Sequence, residues 1–190
     1  HKLTMYNDRF TRLSMNIKTQ IITNAERVFD QHGFAGTGMD QVIQAAEVSS
    51  RTLYKHVGNK TALIVAVLNE RSRRFFTQCR ATSVEGLFDA LESWTLTEGA
   101  RGCLFLRAYS ETGGNVADIA QAVSAYRTQL RKFIEDIVTH QIGAADDDLV
   151  EQILVLFEGA TSTSTYRGPS AISTARAIAA VLMDRTDQTE

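Results

Sequence analysis

The chain is poor in the residues that punctuate or staple a fold. It holds one proline, Pro169, among 190 residues, which leaves long stretches free to run as uninterrupted helix. Its two cysteines, Cys79 and Cys103, lack metal-type spacing, which argues against a disulfide framework and against a zinc site. No apolar run approaches membrane-spanning length and no signal-peptide pattern opens the chain, so the expectation is a cytoplasmic protein with no membrane partner. The β-branched residues are scattered instead of alternating in short runs, so no sheet is expected. A nucleophile elbow, an HExxH pair, a phosphate loop and a paired acidic motif are all missing, and His32 and His140 lack evident partners. An enzyme is therefore the least favoured class, and neither a cofactor nor a metal is expected.

What remains is helical. Hydrophobic residues make up 44% and charged residues 22% of the chain, enough to bury a core behind an ordinary surface. The net charge of −2 hides an asymmetry. Residues 1–60 hold 8 Lys+Arg against 5 Asp+Glu, or +3, and residues 61–190 hold 12 against 17, or −5. A basic head on an acidic body points to a polyanion at one end only.

Along the chain, residues 1–16 show weak periodicity and read as an N-terminal arm or a tag remnant. From Ile17 an apolar face appears through Ile21, Ala25, Val28 and Phe29, ended by the glycine-rich "HGFAGTG" at 32–38. A short helix follows from Met39 to Ala46, with Thr37 or Gly38 at its cap, then a turn at Glu47-Val48. Ser49 caps a third helix from Ser50 to about His56, and Asn59 caps a fourth from Lys60 to about Cys79. Further helices are expected near 84–97, 101–112, 115–141, 147–166 and 171–185, with Asp146 to Asp148 as a cap for the fourth of these.

Two short helices joined by a tight turn and braced by a preceding helix describe a helix-turn-helix unit over 17–60. Within it "VSSRTLYKHVGNK" gathers phosphate-friendly side chains around an apolar skeleton, with Leu53 and Val57 turned inward. Arg51 is the candidate base reader, because a guanidinium can hold guanine O6 and N7 together. Ser50 and Thr52 are candidates for hydrogen bonds or a thymine methyl, and Tyr54, His56 and Lys60 for the phosphate backbone. Singly, each also reads as ordinary helix surface. On this scaffold they converge.

The stretch "AERVFDQHGFAGTGMDQVIQAAEVSSRTLYKHVGNKTAL" within residues 21–63 resembles the DNA-binding head of the tetracycline-repressor (TetR) family of bacterial transcription regulators. The resemblance runs through Gly33-Phe34, Thr37, Ala46, Val48-Ser49, Thr52-Leu53-Tyr54, His56 and Lys60. It implies an all-α protein: a three-helix head that binds double-stranded operator DNA, and a body over 61–190 that binds an effector and dimerises. By position it implies phosphate contacts for Thr37, Tyr54, His56 and Lys60, and groove-facing places for Ser50, Arg51, Thr52 and Lys55, behind the cap Ser49. Three positions depart from the family pattern: Glu47 stands at a usual glycine of the turn, Arg51 at a frequent glycine, and Val57 at a common phenylalanine.

In the body, Leu149, Ile153, Leu156 and Ala160 line one helix face, beside a second row of Val150, Leu154, Phe157 and Thr161. Ile172, Ala175, Ile178, Ala179 and Leu182 line the last helix. Two such helices from each of two subunits would form a four-helix homodimer interface, the alternative being a monomer core capped by them. Trp94, Phe105, Tyr109, Tyr126, Phe133 and Phe157, with Arg107 and Thr161 as polar handles, are candidates for an effector pocket, and each is individually also a plain core residue. Cys103 reads as a buried thiol before a redox sensor. The expectation is a homodimeric repressor released from a palindromic operator by a small, largely apolar effector. The competing class is a ligand-independent architectural DNA-binding protein.

Overall fold

The structure, a computed structural model, describes residues 16–99 and 101–186. Apart from Asn16, the expected arm lies outside the described residues. Asn16 itself begins the first helix, its side chain accepting from the Lys18 amide at 3.0 Å.

Among the described residues there are nine helices and no strand. They are α1 (Ile17–His32), α2 (Met39–Ala46), α3 (Ser50–Val57), α4 (Lys60–Gln78), α5 (Val84–Glu98), α6 (Leu104–Glu111), α7 (Ala117–Ile142), α8 (Asp147–Arg167) and α9 (Ser170–Thr186). Side-chain caps fix several starts. Ser49, Ser83 and Asp146 accept from the amides of Thr52, Gly86 and Leu149, and Asn59 accepts from Ala62. Each such cap satisfies an amide the helix itself leaves open and contributes about 1 kcal/mol.

The largest shift from the sequence expectation is at α6, which starts at Leu104 instead of 101. Gly102 takes a left-handed φ of 83°, and the Cys103 carbonyl accepts the first intrahelical bond, from Arg107 at 3.0 Å. A helix cannot continue backward through that glycine.

The chain divides into two compact units. One comprises the described residues up to Glu70 together with Ala108–Ala122; the other comprises Arg71–Arg107 and the described residues from Val123 onward. The expected boundary at residue 60 thus falls inside the first unit, which also takes in the end of α6 and the start of α7.

In the first unit α1 packs on α2 and α3. Ile21, Ala25 and Phe29 of α1, Val42 and Ala46 of α2, and Leu53 of α3 are fully enclosed. Phe34 follows α1 and folds back so that its ring centroid lies 4.9 Å from that of Phe29. In the second unit α8 packs on α9, and both pack on α5. Leu87 and Phe88 of α5, Val150 and Ile153 of α8 and Ile172 of α9 are buried there. Each such side chain contributes about 1.5–3 kcal/mol by leaving water.

Candidate nucleic-acid interface

The chain has to turn from α2 into α3 within three residues, Glu47, Val48 and the cap Ser49. Glu47 does so in the left-handed region, at φ 54° and ψ 41°, the only non-glycine residue with positive φ among those described. Its amide donates to the Gln44 carbonyl at 3.2 Å and the Val48 amide to Ile43 at 3.3 Å, which closes α2. The Ala46 carbonyl accepts instead from the Gln20 side chain of α1, at 2.8 Å. Helix α1 therefore holds the turn by a hydrogen bond as well as by packing. A side chain with a Cβ is strained in this conformation by roughly 1–2 kcal/mol. The glutamate does not abolish the turn geometry; it makes it dearer.

Helix α3 is pinned by Leu53 and Val57, 0% and 7% exposed. That fixes what faces away. Ser50, Arg51, Tyr54 and Lys55 are exposed and, at spacings of one and four, form one continuous face. Ser49 and Thr52 are linked to each other, their hydroxyl oxygens 2.8 Å apart, while Ser49 Oγ accepts from the Thr52 amide at 3.1 Å. Their groups serve the helix start first. His56 near the end of α3 and Lys60 at the start of α4 are half-buried. So eight of the nine expected head residues lie on α3, at its cap or at the start of α4.

Thr37 is placed differently. It is 1% exposed, and its hydroxyl donates to the Gly33 carbonyl at 2.6 Å. The phosphate contact implied by resemblance has no surface there; the side chain closes the loop between α1 and α2. The cap of α2 is Gly38, whose amide donates to the Gln41 side chain at 2.7 Å.

The candidate pocket residues separate. Phe105 and Tyr126 stack face to face, ring centroids 3.6 Å apart. Phe133 meets Phe76, Trp94 meets Phe75, and Phe157 meets both Phe75 and Phe88, all with tilted or edge-on rings. Phe75 and Phe76 of α4, which the sequence reading did not single out, thus link the cluster. Burial holds the Tyr126 phenol far above its ordinary range, so its hydroxyl stays neutral. The Trp94 ring also carries the guanidiniums of Arg71 and Arg74, at 5.4 and 5.6 Å from its centroid, and Arg74 makes two hydrogen bonds to Glu98. Beside Trp94, a surface cleft of about 240 Å³ is lined by Phe75, Gln78, Cys79 and Thr97.

Tyr109 lies on α6. It belongs to the first unit, is 41% exposed, and lies so close to Gly114 that a Cβ there would meet its ring at 2.8 Å. Arg107 is half-buried in the second unit. The Thr161 hydroxyl donates to the Phe157 carbonyl one turn back, at 2.8 Å, which leaves it only acceptor capacity. Cys103 accepts from the Leu106 amide at 3.5 Å, and burial pushes its thiol up, away from a reactive thiolate. Asp146 caps α8, and Asp147 pairs with Arg131 at 2.9 Å.

Of the residues expected at a dimer interface, Leu149, Ile153, Ala160, Ile172, Ala175 and Ala179 are buried inside the single chain, where α8 meets α9 and α5. They offer no surface to a partner. Of the others, Leu156 and Leu182 are half-buried and Ile178 is exposed. The exposed large hydrophobic residues of this helix pair, among those described, are Val155, Tyr166, Ile178 and Val181, at 67%, 76%, 45% and 52% exposure. Sequence periodicity showed a stripe wide enough for two partners without saying which side the chain itself would cover.

A family model described as bacterial regulatory proteins of the tetR family matches residues 21–67. No curated protein matches the chain. Among solved structures, a TetR-family transcriptional regulator from Streptomyces coelicolor is 21% identical, with a TM-score of 0.78 over 90% of this chain and 95% of that one. A putative TetR transcriptional regulator from Streptomyces avermitilis is 22% identical, with a TM-score of 0.76 over 91% and 99%. The reduced form of NemR from E. coli is 17% identical, with a TM-score of 0.70 over 87% and 95%. At such identities these structures establish the shared fold, and the family match lies on the α1-to-α4 segment whose exposed face was built above. Residues 21–67 are thus similar to the tetR family of bacterial regulatory proteins, and the chain shares its helical fold with solved TetR-family regulators.

Proposed function

We propose that the protein is a homodimeric repressor that binds a palindromic operator and releases it when a small, largely apolar effector binds the body. The observation that carries the DNA half is the exposed face Ser50, Arg51, Tyr54 and Lys55 on a helix whose opposite face is locked into the head. Arg51 reads a base, and Lys55 and Tyr54 hold the backbone around it. His56 and Lys60 extend the backbone contacts to the start of α4.

The dimer half is supported by Val155, Ile178 and Val181. Val155 and Val181 are equidistant in sequence from Gly168, where the hairpin of α8 and α9 turns. Valines and an isoleucine exposed along one helix pair suit a copy of the same pair, an arrangement that closes on a two-fold axis. Two heads on that axis read half-sites about one DNA turn apart or a little more. The effector half is supported by the aromatic cluster of Phe75, Trp94, Phe105, Tyr126, Phe133 and Phe157, which suits an apolar ligand. An effector releases DNA only if it binds the released arrangement more tightly than the bound one.

The test is the molar mass of the complex on duplexes enriched from random DNA, measured by light scattering. Two chains on one palindromic duplex support the reading. One chain per duplex removes the dimer. Indiscriminate coating whose affinity collapses with salt replaces the repressor with an architectural protein.

A further inference from the structure

The head carries a contact from outside its own three helices. Glu111, the last residue of α6, sets its carboxylate against the loop that joins α1 to α2, within the first unit. Its Oε2 accepts from the Ala35 amide at 2.7 Å. A Cβ on Gly33 would come within 2.8 Å of Oε1 and 2.9 Å of Oε2, so the carboxylate occupies space that only a glycine leaves open. Gly33 also has a φ of 81°, which a side chain would strain.

What this loop sets is the start of α2. Phe34 is anchored on Phe29, Thr37 ties back to the Gly33 carbonyl, and the next residue, Gly38, is the α2 cap. Helix α2 then carries α3 across the three-residue turn that begins at Glu47. A shift of the loop at Ala35 therefore passes into the pitch of α3 with little slack between.

We propose that Glu111 is a positioning residue for operator recognition: without touching DNA, its carboxylate fixes the Gly33–Ala35 loop and thereby the angle at which α3 presents Arg51 and Lys55. This rests on the reading of the head as a DNA binder. Because Glu111 is anionic, deleting it has two effects of opposite sign. Loss of a negative charge from the head tightens binding to any DNA, while loss of the loop contact weakens binding to the operator alone.

The experiment compares wild type with Glu111→Ala and Glu111→Gln, on the operator enriched by wild type and on a scrambled duplex of equal length. Ala35 amide exchange and thermal unfolding are followed in parallel. Glutamine keeps an oxygen acceptor for the Ala35 amide and removes the charge. The expected result is an operator affinity about tenfold lower in Glu111→Ala, with scrambled-duplex affinity unchanged or higher and the Ala35 amide exchanging faster. Glu111→Gln recovers most of the operator affinity. Operator binding by both variants equal to wild type overturns the proposal. So does a loss on operator and scrambled duplex alike that follows the unfolded fraction, since that marks a stability effect only. If Glu111→Ala does not fold, a Glu111→Gln variant as specific as wild type supports the proposal, and one that has lost specificity while the Ala35 amide stays protected overturns it. Wild type that enriches no sequence overturns the DNA reading, and this proposal with it.

Discussion

The head and the body are built by different means. In the head, short helices are placed by polar detail: a serine cap on α3, an asparagine cap on α4, a glutamine that holds the turn, and a threonine and a glutamate that close the first loop. In the body, longer helices are placed by apolar area, with aromatic rings stacked or set edge-on and small alanines where α8 meets α9. Polar detail fixes angles to within a hydrogen bond, which a base-reading helix needs. Apolar area fixes position less sharply and tolerates repacking, which suits the proposed effector-binding role of the body. The contrast predicts that single polar changes hurt recognition in the head, while single apolar changes hurt folding or assembly.

The largest expected effect is at Leu53, the fully buried one of the two apolar anchors of α3. Leu53→Ala leaves a cavity at a fully buried site and should destabilise by about 2–5 kcal/mol, read in urea unfolding. A loss below about 1 kcal/mol would mean that α3 is held by its polar contacts instead. Next is assembly. Val155→Asp with Ile178→Asp should leave helicity intact yet convert dimer to monomer and lower operator affinity by about 100-fold or more, through lost bivalency. A dimer surviving both charges would move the interface off α8 and α9.

Smaller effects separate reading from holding. Arg51→Ala should cost about 1–3 kcal/mol of discrimination at one position of each half-site, with thermal stability unchanged. Lys60→Ala should weaken all duplexes alike and flatten the salt slope by about one phosphate contact. The smallest effect has the opposite sign. Glu47→Gly relieves a left-handed side chain and should stabilise by about 1 kcal/mol or a little less, as glycine also loosens the unfolded chain.

The contrast also explains what could be read in advance. Helix limits in the head were legible because each has a local cause, such as Ser49 before α3, Asn59 before α4 and Gly33 after α1. The exposed face of α3 followed from the spacing of Leu53 and Val57. Contacts distant in sequence left no such trace: Gln20 reaches Ala46, and Glu111 reaches Ala35 across 76 positions. The family resemblance implied a phosphate contact for Thr37, and only the fold shows that its hydroxyl turns in to Gly33. In the body, a wide apolar stripe on α8 was visible. Its division between an inner side at Leu149 and Ile153 and an outer one at Val155 depends on where α9 and α5 lie, and no local residue encodes that.

Under the proposed function, sequence reading by α3 depends on Arg51. It is tested most directly by selecting bound duplexes from random DNA at moderate salt, with wild type and Arg51→Ala in parallel. Wild type is expected to yield a two-fold symmetric consensus, and the variant the same consensus with one relaxed position per half-site. A wild-type pool without enriched sequence, or a consensus that Arg51→Ala leaves untouched, would contradict it.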